Sequence, residues 1–128
     1  MASIFELESA NFGRVTEGRV LLAGSNADTT LTAAQSIESI VTVTPTTGRT
    51  YTTATAADII SELGNSAKVG QCFEITIVNL ASATHAVTFA GGTGATVSGN
   101  ATVAAATSAT FVGRMASSTT VVYYRKGG

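Results

Sequence analysis

The residues able to act as nucleophiles, bases or metal ligands are few: one histidine, His85, one cysteine, Cys72, and eight acids. Nucleophilic catalysis needs a nucleophile beside a base, and this chain offers a single imidazole for the whole task. His85 follows Ser82-Ala83-Thr84 at the opening of an alternating stretch, the place of a solvent-facing residue at a strand end. Cys72 begins the most apolar strand pattern with no basic neighbour to lower its pKa, which predicts an inert, packed thiol. A zinc centre takes three or four Cys/His ligands, and only two such residues exist here. Asn26 and Asp28 share a turn-rich stretch, but no DxDxDG loop surrounds them to hold calcium. Acid pairs for glycoside cleavage reduce to Glu38, Asp58, Glu62 and Glu74; Asp58 and Glu62 lie four apart, as surface acids on a helix do. Gly91-Gly92-Thr93-Gly94 has no Lys-Ser/Thr partner and no helix pattern after it, so it reads as a tight hairpin turn rather than a phosphate cradle. Tyr123 and Tyr124 are adjacent on a strand pattern and point to opposite faces, so they form no stacking platform. These residues predict no enzyme, no cofactor, no metal site and no small-molecule substrate.

The elements that carry them are mostly strands. Residues 40–44, 49–53, 72–79, 85–90, 95–98, 101–105, 107–115 and 119–126 are short β-branched runs punctuated by Gly, Asn, Ser and the sole proline, Pro45. Alternation in residues 72–79 puts Phe73, Ile75 and Ile77 on one face; residues 85–90 are expected to pair beside it with Val87 and Phe89 facing inward, and Phe111 joins the same core. One short helix over about residues 55–63 is expected: Thr55 is an N-cap with Asp58 three residues on, Ile59, Ile60 and Leu63 form an apolar face, and Gly64-Asn65 ends it. The irregular strand spacing argues against a solenoid repeat. The fold class expected is all-β, an antiparallel β-sandwich, jelly-roll-like or barrel, with an N-terminal arm. Residues 1–36, with six of the 15 charges, are expected to form that arm and its linker, and residues 37–128 the sandwich domain.

Charge scarcity bounds the function. Only 12% of the residues are charged, about half the usual share, and the net charge is -1. Threonine (22), alanine (21) and serine (12) replace the charges, giving a surface that favours association with copies or a partner. Scattered basic residues exclude a nucleic-acid footprint. No apolar run exceeds four residues and the N-terminus lacks a signal-peptide pattern, so neither a membrane span nor secretion is expected. A single cysteine fits synthesis in a reducing compartment such as the cytoplasm.

Several segments carry a resemblance. Leu31-Thr32-Ala33-Ala34-Gln35, residues 43–50, the Ala56–Leu63 helix, residues 69–75, residues 87–94, Phe111, Arg114 and the closing Val-Val-Tyr-Tyr strand resemble small β-rich virion proteins of tailed phages and other large DNA viruses. The likeness covers about residues 31–126. It implies a head-decoration (cement) or fibre-head protein, commonly a trimer of β-sandwich or barrel subunits, in which an N-terminal arm anchors the decoration type. The leading expectation is a homotrimer on the capsid exterior that binds the major capsid protein and stabilises the head. The alternative is a fibre or tail-tip receptor-binding domain that recognises a host surface glycan. In the first case Ile4, Phe5, Leu7 and Phe12 dock on the shell, and Val20, Leu21 and Leu22 add a strand to a neighbouring subunit or to the shell.

Overall fold

The computed structural model describes residues 18–127, and in them ten strands form two sheets on one shared core. Strands β1 (Val20–Ala23), β3 (Ser39–Val43), β5 (Cys72–Asn79), β7 (Ala95–Ser98), β9 (Ser108–Met115) and β10 (Val121–Gly127) make the larger sheet, in the order β1-β3-β5-β9-β10-β7. The smaller sheet is β2 (Thr29–Thr30), β4 (Arg49–Thr52), β6 (Val87–Ala90) and β8 (Thr102–Val103), in sequence order. Up to β8 the chain changes sheet at every strand. Strands β1, β3 and β5 are mutually parallel, as are β2, β4 and β6, whereas β8 returns antiparallel to β6 and β9 antiparallel to β5. Both sheets are therefore mixed, and the expectation of a purely antiparallel arrangement is corrected. Because the chain changes sheet between them, β6 does not pair with β5, and Gly91–Gly94 carries the chain between sheets rather than closing a hairpin.

Among the described residues two α-helices lie at the crossovers, one more than expected. Helix α1 (Ala33–Glu38) starts at Thr32, whose hydroxyl accepts from the Gln35 N–H while the Gln35 side chain accepts from the Thr32 N–H. Helix α2 (Ala56–Leu63) starts at Thr55, whose hydroxyl accepts from the Asp58 N–H, and stops at Gly64. Thr-Ala-Ala-Gln-Ser-Ile and Thr-Ala-Ala-Asp-Ile-Ile are thus the same start signal used twice. Thr32 lies 12 positions after Val20, and Thr55 lies 16 after Ser39, the residue paired with Val20 in register. A strand–strand–helix unit therefore occurs twice with unequal turns, which irregular spacing concealed. The expected boundary at residue 36 is not where the fold begins, because β1, β2 and α1 are built into the same two sheets and core.

The core residues named from alternation are inside. Ile75, Ile77, Val87, Phe89 and Phe111 are at most 1% exposed, and Phe73 is half-buried against them. Phe89 from the smaller sheet meets two rings of the larger, Phe111 at 4.6 Å and Tyr123 at 5.1 Å between centroids, so aromatic contact ties the layers together. Phe73 lies across Gly113, its register partner on β9; a Cβ there would overlap the ring. Several buried polar groups are matched, although the Ser39 hydroxyl is buried without a hydrogen-bond partner. The Asn79 amide donates to the carbonyls of His85 and Val103 and accepts from the Ala81 N–H. Tyr51 and Tyr123 each place a hydroxyl 2.5 Å from a backbone carbonyl, those of Ser25 and Ser36.

Candidate interaction surface

The pleat sends Val41, Val43, Ile75, Ile77, Phe111 and Tyr123 of the larger sheet into the core, so their sequence neighbours form its outer face. Register arranges these neighbours in rows. Leu21, Ile40, Thr76 and Thr110 make one row across β1, β3, β5 and β9. Glu74, Val112, Tyr124 and Ser98 make the next across β5, β9, β10 and β7. Thr42, Val78 and Ser108 flank the first row, and Cys72, Arg114, Val122 and Thr96 flank the second. The floor is β-branched and half-buried by its own neighbours, while Leu21 (69% exposed) and Tyr124 (46%) stand proud on opposite sides of it.

Thr76, Thr110 and Glu74, on the two central rows, are already paired. Thr76 and Thr110 hydroxyls bond each other at 3.0 Å. Both Glu74 carboxylate oxygens are occupied, Oε1 by Arg19 at 3.0 Å and Oε2 by Lys126 at 2.8 Å, and Arg19 also donates to the Glu74 carbonyl. The hydrogen bond from Lys126 holds the Glu74 carboxyl below its ordinary pKa, against a smaller opposing push from desolvation. Arg19 thereby fixes the start of the described chain to β5.

The smaller sheet presents a different exterior. Thr30, Thr52 and Ala90 form one row and Thr50, Thr88 and Thr102 the other, an array of hydroxyls with no charge inside it. Beside it, where α1 and α2 begin, an open cleft of about 650 Å³ is lined by Thr30, Thr32, Thr55, Asp58, Ser61 and Glu62 among others.

The residues considered for chemistry are scattered. Asn26 Oδ1 accepts from the Thr46 N–H and the Arg49 Nε–H, and Asp28 Oδ1 accepts from the Thr50 N–H, so these turn residues lock one inter-sheet turn onto the next. Cys72 is exposed, which corrects the packed-thiol expectation: it shares the outward parity of Glu74, not the inward parity of Phe73. His85 is half-buried and uses its carbonyl on Asn79. Tyr123 is buried, which raises its pKa, and Tyr124 is exposed, as their adjacency implied. Among the described residues no three His, Cys, Asp or Glu side chains gather around a common point, and no helix is long and apolar enough to cross a membrane. Of the arm residues, Ile4, Phe5, Leu7 and Phe12 lie outside the described part. Val20, Leu21 and Leu22 are not a free strand: β1 pairs in parallel with β3 of its own chain, leaving only its other edge available. Sequence reasoning missed the outer face of the larger sheet because its membership depends on register, although the parity of residues 72–79 already separated the two faces. Comparison with family models, curated proteins and solved structures gives no match.

Proposed function

We propose that this chain is a non-enzymatic structural component of a virion, a capsid decoration protein of the β-sandwich class. It binds major-capsid subunits on the particle exterior as a homotrimer. The observation that carries this reading is a charge-poor chain whose larger sheet turns outward a β-branched floor, with Thr76 bonded to Thr110 and Glu74 held by Arg19 and Lys126. Such a face dehydrates at low cost, which suits adhesion. Three linked copies raise occupancy on a repeating shell even when each contact is weak. Electron microscopy of particles carrying the full chain or a variant lacking residues 1–13 tests it. Loss of decoration with the oligomer intact is expected; normal occupancy by the variant moves the anchor away from Ile4, Phe5, Leu7 and Phe12. Particles that never bind the full chain refute the reading.

The hydroxyl- and acid-lined cleft at the helix starts favours one second reading, a receptor-binding domain for a host glycan. Glycan-array binding that is abolished by Asp58→Ala would establish that alternative.

A further inference from the structure

We infer that the open edge of β1 is a strand-accepting site, on which an extended segment of a partner protein adds to the larger sheet beyond its own six strands. The site is independent of the virion reading, since any protein partner with such a segment can use it.

One hydrogen bond fixes the direction of the backbone groups. The Gly24 N–H donates to the Thr42 carbonyl of β3, and successive residues of a regular strand turn their N–H and C=O to opposite sides. Val20 and Leu22 therefore bond β3. The N–H and C=O of Leu21 and Ala23 point the other way, where the larger sheet has no strand. Among the described residues nothing bonds these four groups.

The other three edges are closed or short. On β8 the Thr102 N–H donates to Asn100 Oδ1, and the Thr102 carbonyl accepts from Arg125. On β7 the Ala95 N–H donates to the Gly92 carbonyl, which leaves Val97 as the one open amide of that strand. Strand β2 has two residues; the Leu31 N–H after it donates to Thr52, so only Thr30 points outward. Strand β1 offers two successive open amides, and its Val-Leu-Leu-Ala sequence has none of the prolines, charges or bulges that guard exposed edges.

Side chains mark the same place. Val20 has the inward parity of its register partner Ser39, which is fully buried, yet Val20 is 46% exposed. Leu22, also inward, packs at the rim of the core. An added strand sets its own inward side chains beside these two, so the site selects a segment with apolar residues at alternate positions.

Size decides against a second copy as the occupant. Four residues at ~3.3 Å make an edge about 13 Å long, and one sheet layer is ~10 Å thick. Two copies joined there would bury about 260 Å² in all, far below the ~1,000 Å² of a specific interface. A segment of a partner that is also held elsewhere has only to add to those contacts.

Amide hydrogen exchange followed by NMR tests this on the full chain, with the end-blocked peptide Thr-Val-Thr-Val-Thr as probe. At about 5 mM peptide the Leu21 and Ala23 amides are expected to slow at least about threefold, as a dissociation constant of about 2.5 mM or lower gives. Val20 and Leu22, already bonded to β3, should not change. Leu21→Pro removes an N–H that bonds nothing in β3, so the variant is expected to keep its circular dichroism and to lose the peptide's effect at Ala23. The same peptide N-methylated at every residue should have no effect. Less than threefold slowing, or equal slowing by the N-methylated peptide, refutes the site; if Leu21→Pro fails to fold, the N-methylated peptide still decides. Leu21 and Ala23 amides already as slow as Val20 and Leu22 in the chain alone refute the open edge. Protection that is then the same at about 50 and 500 µM protein assigns the edge to this chain's own residues, and protection that rises assigns it to a second copy.

Discussion

Truncating Phe89 to alanine tests the core where the two layers meet. The ring is 1% exposed and sits between Phe111 and Tyr123 of the opposite sheet. Removing it takes away the apolar burial and leaves a hole that neither sheet can close, because both neighbouring rings are held by their own strands. Substitutions of this kind cost about 3–5 kcal/mol. About 110 folded residues unfold with an entropy of roughly 0.23 kcal/mol/K, so the melting temperature should fall by about 13–22 °C. Circular dichroism at one fixed protein concentration reads the shift, and concentration must be held because association raises apparent stability. Phe89→Leu keeps most of the volume and should lose less than half as much. If Phe89→Ala melts within about 3 °C of wild type, the ring does not bridge the layers and the assigned strand faces are wrong.

Tyr123→Phe removes the hydroxyl that satisfies the buried Ser36 carbonyl and should cost about 1–3 kcal/mol in urea unfolding, with no change in fold. Gly113→Ala puts a methyl against the Phe73 ring and should cost about 1–3 kcal/mol; in a Phe73→Ala background the cost should largely vanish, and an additive double-mutant cycle would deny the contact. Thr55→Ala should lose about 0.5–2 kcal/mol from the start of α2, read by thermal melting. Because the folded Glu74 pKa lies below its ordinary 4.5, its pairing stabilises above that value and is lost as pH falls below it; Glu74→Gln should flatten that part of the acid limb of stability and leave the rest.

Alternation and punctuation made most elements legible in the sequence. Residues 72–79 are a strand with the expected ends, and the inward set Phe73, Ile75, Ile77 follows from parity alone. Helix α2 was announced by Thr55 and Asp58. Helix α1 was not, because six residues with a buried serine in place of a large apolar side chain carry a weak helical pattern. Pairing was the larger loss. Neighbouring strands in sequence suggest hairpins, and nothing in residues 80–86 reveals that the chain crosses to the other layer there. The interaction face suffered the same way, since Ile40, Thr76 and Val112 become neighbours only through register.

The weaving of the chain between layers also bears on how it can be made. Among the described residues β9 and β10 are the only consecutive strands bonded to each other, and they follow all the other strands along the chain. Strand β5 waits for β9 on one side, and β7 waits for β10, so the larger sheet cannot be completed until β10 has been made. Such distant pairings incur their loop-closure entropy before any reward and fold slowly. Until the C-terminal hairpin arrives, β5 offers an open, apolar edge to whatever else is in solution. Losing even the final strand should therefore yield aggregate rather than a smaller folded unit.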